Sequence, residues 1–288
     1  MGLMNALTLR SPAKLNLYLN VLRKRPDGYH DIETLFERID LADTIRLRKI
    51  PKGVLLTTSH PSLPTDGRNL VVRAAELFFK KLNRPGGVKI HLTKRIPIAA
   101  GMGGGSSNAA TTLLGLNHLY KSPFPKKSLF QMGRRLGADV PFFLLQKRFA
   151  WGKKRGDSLT PIPSRMKILH LVVTPRVMVS TQAVYQGLRI ALTKRASGVK
   201  IFQHLLREDD LSGLIEKCYN VLEASVTVKR PSIHTVRKTL EFLGLQGVTL
   251  SGSGPTFFGF PRTLPEAKRF RHMLLSRKDW GVFICKTF

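Results

Sequence analysis

The chain is short of cysteine, of acid and of long apolar runs, and each shortage closes off a class of protein. Two cysteines, Cys218 and Cys285, occur in 288 residues, far apart and with no further cysteine or histidine beside them at metal-ligand spacing. A disulfide framework and a structural zinc site are excluded, no protein metal ligands are evident, and a reduced, cytoplasmic setting is expected. No apolar stretch approaches the roughly 20 residues that a membrane helix needs. The longest fragments are of the kind Val140-Pro141-Phe142-Phe143-Leu144-Leu145. The first ten residues lack a charged leader followed by an apolar region, and Ala6 stands where a myristoylation signal carries Ser or Thr, so no export or lipid address is expected.

Acid is the scarcest feature: 18 Asp and Glu face 48 Lys and Arg, a formal net charge of +30. That balance invites a nucleic-acid reading. The basic pairs, however, are scattered, from Arg23-Lys24-Arg25 through Lys126-Lys127 and Lys194-Arg195 to Arg277-Lys278, and base-stacking aromatics are not interleaved with them. A generally basic surface is therefore favoured over a nucleic-acid patch. Such a surface steers polyanionic small substrates, an attraction that salt screens over about 10 Å.

What is present is a globular composition, 42% hydrophobic and 8% aromatic, in a chain long enough for two lobes. Leu15, Leu17, Leu19 and Val21 alternate with polar residues and predict a half-buried strand over 14–22, with further strands over 32–40 and 44–50. Asn69 is placed to cap a helix whose apolar residues, Leu70, Ala74, Leu77, Phe78 and Leu82, recur at helical spacing until Pro85-Gly86-Gly87. A strand over 88–92, helices over 111–120 and 126–136, and a buried Pro-Phe-Phe-Leu-Leu segment follow. The charged run 153–157 reads as a hinge. A second lobe then begins near 160, with a strand over 167–174, helices around 181–192 and 213–243, a strand into Thr249-Leu250 and a closing strand over 281–287. No internal repeat is found.

Between the strand at 88–92 and the helix at 111–120 lies Pro97-Ile98-Ala99-Ala100-Gly101-Met102-Gly103-Gly104-Gly105-Ser106-Ser107-Asn108-Ala109-Ala110. Glycine at 101, 103, 104 and 105 lets the backbone turn its N–H groups toward one point, since no Cβ blocks the approach. Ser106 and Ser107 then open a helix, whose N-terminus adds about 0.3–1 kcal/mol for an anion. An ordinary linker does not end in a helix start after an alternating strand, so phosphate binding is favoured. No Gly-Lys-Ser/Thr follows, and no acidic residue stands where a Gly-x-Gly-x-x-Gly dinucleotide site needs one, so neither common nucleotide motif applies.

The stretch Pro97 to Ser107 instead resembles the second motif of the GHMP kinases, the family of galactose, homoserine, mevalonate and phosphomevalonate kinases, with Met102 replacing the usual leucine. Ser11-Pro12-Ala13-Lys14-Leu15-Asn16-Leu17 is similar to the family's N-terminal motif. Leu250-Ser251-Gly252-Ser253-Gly254-Pro255-Thr256 is similar to its C-terminal glycine loop. The resemblance spans nearly the whole chain and implies a two-lobed α+β fold. Its first lobe, over 1–156, is like domain 2 of ribosomal protein S5 and binds ATP; a ferredoxin-like α/β lobe over 157–288 binds the substrate. Within the family, the segments 26–31, 103–110 and 137–143 are most similar to a member whose substrate is a cytidine diphosphate-linked alcohol, with homoserine or mevalonate as the alternative acceptor.

The resemblance also implies roles. Lys14 and Asp139 correspond to the catalytic pair, Asp139 as base or orienter of the hydroxyl and Lys14 as its cationic partner; read alone, the two are better explained as a structural ion pair. ATP would be held by Asn69, Leu70, Lys94, Pro97, Gly101, Gly103, Gly104, Gly105, Ser106 and Ser107, although Asn69 read alone is a helix cap and Lys94 a solvated charge. The substrate would be held by Asn16, Tyr29, His30, Asn108 and Asp139, with Tyr185 as a second aromatic and Ser251 to Gly254 closing over the diphosphate. A lone Tyr-His pair is otherwise core packing or a surface turn. Mg2+ accompanies ATP, with Ser107 the one protein candidate to touch it. Ala99-Ala100 departs from the family's pattern, where glycine is frequent. His60, His91, His118, His170, His204, His234 and His272 have no partner at ligand spacing and receive no role.

Overall fold

The computed structural model describes residues 5–188 and 198–288. In chain order the elements are β1 (Ala6–Lys24), β2 (His30–Ile50), β3 (Gly53–Thr58), α1 (Leu70–Leu82), β4 (Gly87–Thr93), α2 (Gly104–Leu119), α3 (Lys126–Leu136), α4 (Val140–Leu145), β5 (Phe149–Lys153) and β6 (Ser158–Ile162). They continue as β7 (Leu169–Pro175), α5 (Thr181–Gln186), α6 (Val199–Arg207), α7 (Leu211–Lys217), β8 (Tyr219–Asn220), α8 (Glu223–Lys229), α9 (Pro231–Phe242), β9 (Gln246–Leu250), β10 (Phe257–Phe260), α10 (Leu264–Leu274) and β11 (Trp280–Lys286).

These elements form two compact units. One comprises Met1–Ala13, Ala42–Ile98 and Gly103–Gln146; the other comprises Lys14–Leu41, Ala99–Met102 and Lys147–Phe288. The units therefore do not follow a single cut after residue 156, because β1 and β2 each run on from one unit into the other.

In the first unit the strand order is β3-β4-β2-β1, with β3 parallel to β4 and β4 antiparallel to β2 in the register Ile45↔Leu92 and Leu47↔Ile90. Those four side chains are buried, and α2 packs on Leu47. Gly115 of α2 is the point of closest approach: a Cβ there would come within 2.5 Å of Leu47 and 2.7 Å of Leu9. α1 begins as its sequence predicts, with Asn69 accepting the Val71 N–H at 3.0 Å, and ends at Asn83 in the left-handed conformation after Lys80 and Lys81.

In the second unit β5 pairs with Thr34–Glu37 of β2, β6 pairs with β5, and β8 lies parallel to β1 at Tyr18–Leu19. A separate antiparallel sheet runs β11-β7-β10-β9, the 4-1-3-2 order of a ferredoxin-like lobe. Ile233, Val236 and Leu240 of α9 and Phe270 and Leu274 of α10 are buried in one core with Val173, Leu250 and Phe257 from that sheet. Each such side chain contributes about 1.5–3 kcal/mol. The three from α9 alone thus rival the roughly 5–15 kcal/mol of a domain's net stability. His170, given no role above, is core: its Nε2 lies 2.8 Å from the buried Glu37 carboxylate, which also accepts from Thr287 at 2.6 Å.

Several expectations are corrected. Residues 32–40 and 44–50 belong to one strand, β2. The first strand is buried on both faces from Ser11 to Val21, since its polar face carries site residues. The run 153–157 is no hinge but the tight turn of the β5–β6 hairpin, with Gly156 N–H bonded to Lys153 O at 3.0 Å. The single helix expected over 213–243 is divided into α7, β8, α8 and α9. Of the helix expected over 181–192, Thr181–Gln186 is helical and closed by Gly187; its last residues and the Lys194-Arg195 pair lie outside the described residues.

Candidate active site

The first unit presents a helix start with no side-chain cap. α2 opens at Gly104, earlier than expected, so Gly104, Gly105 and Ser106 form its first turn rather than a loop before it. The cap is Gly103, with φ 67° and no side chain to satisfy the turn. Ser107 N–H bonds Gly103 O at 2.8 Å, leaving the three preceding N–H groups without a carbonyl inside the helix. Those donors and the helix dipole favour negative charge at this end. Leu70 borders the turn, 3.6 Å from where a Cβ on Gly105 would stand, while Asn69 is committed as the cap of α1 and donates to Pro64 O at 2.8 Å. Pro97 is half-buried between β4 and this turn. Gly137, two residues before Asp139, approaches Ser106 Oγ: a Cβ on it would lie 3.9 Å away. Asp139 precedes α4, half-buried, and its carboxylate makes no hydrogen bond or ion pair among the described residues.

Beneath this turn lies a buried polar cluster. Lys94 is not a solvated charge: its side chain is 7% exposed and forms an ion pair with Asp43, itself at 0%. Asp43 also accepts the Arg95 and Ile96 N–H groups at 2.7 and 2.9 Å and the Asn108 amide at 2.9 Å. Asn108 donates to Ser11 Oγ at 2.9 Å, and Ser11 donates to Ser107 Oγ at 2.8 Å. The sequence expectation made Asn108 a substrate contact and Ser107 a magnesium contact; both side chains are buried and held by protein partners. Sequence reasoning missed Asp43 outright. Its one signal is an acid among the apolar positions of a strand.

The second unit gathers the remaining residues. Lys14, 3% exposed, donates to Gly101 O at 2.7 Å and to Asn16 Oδ1. Asn16 in turn donates to Thr34 Oγ1 at 2.8 Å. Gly101, with φ 75°, also accepts from Ser251 Oγ at 3.0 Å. Gly252 lies against the same group: its Cβ would stand 3.0 Å from Gly101 O and 3.1 Å from Lys14 Nζ. The turn that follows β9 is held by Asn220, which donates to Leu250 O and Gly252 O at 2.7 Å each. Thr34, Asn220 and Thr181, whose hydroxyl lies 2.8 Å from that of Ser253, were not singled out from the sequence.

The expected aromatics divide. His30 and Tyr185 come together, their ring centroids 5.1 Å apart and tilted by 33°. Tyr29 does not join them; it is 55% exposed, with the Arg155 guanidinium 5.1 Å over its ring. Burial, and secondarily the nearby Lys24, holds the His30 pKa below its ordinary value, so the ring is neutral at pH 7. Among the described residues no three His, Cys, Asp or Glu side chains group as a metal site, and no helix is long and apolar enough to cross a membrane.

Residues 69–147 match the GHMP kinases N terminal domain and residues 202–278 the GHMP kinases C terminal domain. The chain belongs to the GHMP kinase family and is an ATP-dependent small-molecule kinase. Similar to it is the 4-diphosphocytidyl-2-C-methyl-D-erythritol kinase of Syntrophus aciditrophicus, 40% identical over 98% of this chain and 99% of that protein. The enzyme of the same name from Geobacter sulfurreducens is 40% identical over 99% of this chain and its whole length. A crystal structure of 4-(cytidine 5'-diphospho)-2C-methyl-D-erythritol kinase matches with a TM-score of 0.83 and 36% identity, covering 97% of this chain and 98% of that one. Homoserine kinase from Cytophaga hutchinsonii, at 19% identity and a TM-score of 0.73 over 100% of this chain and 96% of its own, shares the fold.

Proposed function

We propose that this kinase transfers the γ-phosphoryl group of ATP to the 2-hydroxyl of 4-diphosphocytidyl-2-C-methyl-D-erythritol, in the cytoplasm and on the non-mevalonate route to isoprenoid precursors. The observation that carries the phosphate half is the uncapped start of α2, with Lys94 fixed beside it. The acceptor half is supported by the His30–Tyr185 ring pair, which offers a neutral aromatic face and a ring nitrogen to a pyrimidine, and by the relatives named above.

Phosphoryl transfer asks for charge neutralisation and an aimed hydroxyl rather than covalent help from the protein. In this reading the first turn of α2 receives the triphosphate, and Leu70 and Pro97 flank the nucleotide. Asp139 accepts or orients the proton of the attacking hydroxyl; the γ-phosphorus bond to the bridging oxygen breaks as the new bond forms, and ADP leaves. Lys14, held by Gly101 O and Asn16, supplies positive charge as the phosphoryl group transfers. Asn16 and Ser251 to Gly254 orient the diphosphate of the acceptor. Mg2+ bound with ATP would supply charge neutralisation on the phosphates. In this reading ATP and catalysis belong to residues 1–156, and the acceptor is held from both sides of that boundary, by Asn16 and His30 before it and by Tyr185 and Ser251 to Gly254 after it.

The test is phosphate transfer from ATP to the cytidylated methylerythritol, set against mevalonate and homoserine under the same conditions. Preference for the cytidylated alcohol by at least a hundredfold in kcat/KM is expected. Equal or better use of mevalonate or homoserine would overturn the assignment of substrate.

A further inference from the structure

The first unit contains a buried carboxylate that cannot touch substrate and yet bonds to Lys94 and Asn108, two residues beside the first turn of α2. Asp43 is 0% exposed and accepts from four donors: Lys94, Asn108, and the backbone of Arg95 and Ile96. An ionised carboxylate only accepts, so each of those contacts fixes the direction of its partner. Asn108 must turn its amide nitrogen toward Asp43, which leaves its Oδ1 toward Lys94, 3.4 Å away. The same nitrogen donates to Ser11 Oγ, so the single hydrogen of Ser11 goes to Ser107 Oγ. Asp43 thereby sets the polarity of a buried chain that ends on the first turns of α2.

Its second effect is on charge. Lys94 Nζ lies 3.2 Å from where a Cβ on Gly104 would be, so the ammonium is pressed against the first turn at a place only glycine leaves open. Paired with Asp43, it carries no net charge toward a distant triphosphate. What it offers is an N–H in a fixed place.

We propose that Asp43 is a positioning residue for nucleotide binding, holding the Lys94 ammonium and the Asn108–Ser11–Ser107 chain in the one arrangement that suits a phosphate at the α2 N-terminus. This inference rests on the reading of that helix start as the phosphate site. It separates cleanly from a purely electrostatic role for Lys94. Asp43→Asn removes the opposing charge and leaves that of Lys94 uncompensated. If Lys94 acts as a charge, the variant binds Mg-ATP more tightly; if it acts by placement, the variant binds about tenfold more weakly, or about 1.4 kcal/mol.

The experiment is titration calorimetry of Mg-ATP on the full chain, for the wild type, Asp43→Asn, Lys94→Gln and the double variant. Expected are a tenfold rise in Kd for Asp43→Asn, a further loss of no more than about threefold when it is added to Lys94→Gln, the share carried by the Asn108–Ser11–Ser107 chain, and an unchanged KM for the alcohol. Wild-type or tighter binding by Asp43→Asn, or additive losses in the double variant, would overturn the proposal. Should Asp43→Asn fail to fold, Ser11→Ala interrupts the chain without altering charge; about threefold weaker binding is expected, and wild-type affinity overturns the proposal. Failure of the wild type itself to bind Mg-ATP would defeat the phosphate-site reading instead.

Discussion

Gly101 carries the sharpest stability prediction, because two independent penalties fall on one Cβ. Its φ of 75° lies in the left-handed region, which costs an L residue about 1–2 kcal/mol. The added methyl would also stand 2.2 Å from Ser251 O and 3.0 Å from Gly254 O, both backbone atoms that cannot swing aside. Forcing an atom into filled space costs about a further 1–3 kcal/mol. Gly101→Ala should therefore lose roughly 2–5 kcal/mol, or about 3–8 °C in Tm for a chain of this size. Activity should fall more steeply, because Gly101 O is the acceptor that holds Lys14. Gly53→Ala is the control: its φ is 86°, but nothing lies within 4 Å of the new Cβ. It should show the conformational penalty alone, about 1–2 kcal/mol. Differential scanning fluorimetry with an ADP-release assay reads both quantities. Equal Tm losses in the two variants, or a Gly101→Ala enzyme with near-normal kcat, would refute the collision argument.

Two further predictions concern chemistry. Asp139→Asn should fold normally, because the carboxylate makes no hydrogen bond or ion pair among the described residues, and should lower kcat by about 10²–10⁴ with little change in either KM; near-normal kcat would remove it as base. His30 gives a pH dependence. Its pKa is depressed on folding, so the folded state binds fewer protons than the unfolded state near and below pH 6.5, and stability falls as the pH drops from about 7 toward 5. A Tm–pH series of the wild type and His30→Gln should diverge over that range and run parallel above pH 7.5; parallel curves throughout would count against the buried neutral ring.

The sequence revealed what is local. α1 was legible because its cap, its apolar spacing and the Gly86-Gly87 break all lie within 20 residues of one another, and the glycine run of α2 announced itself without any partner. The sequence predicts two strands, over 32–40 and 44–50, where the structure has one; Asp43, which lies between them, turns its carboxylate to the Arg95 and Ile96 N–H groups, partners more than 50 positions away. The helical period over 213–243 concealed β8, where Tyr219 and Asn220 pair with Tyr18 and Leu19 of a strand 200 residues earlier. The site followed the same division. Its motifs could be named singly, whereas the Lys94–Asp43 pair spans 51 positions and the Ser11–Asn108 bond 97, and a single chain carries no mark of such pairings.

The passage of β1 and β2 through both units bears on how the polypeptide could be cut. A fragment beginning at residue 157 would lack Lys14–Leu41, and with it the neighbour of β8 and the Glu37 that meets His170. Such a piece would emerge with a polar strand edge and a buried imidazole left unmatched. Severing the backbone there should yield two halves that regain shape only when mixed, so the gene is better treated as one indivisible length than as two cassettes.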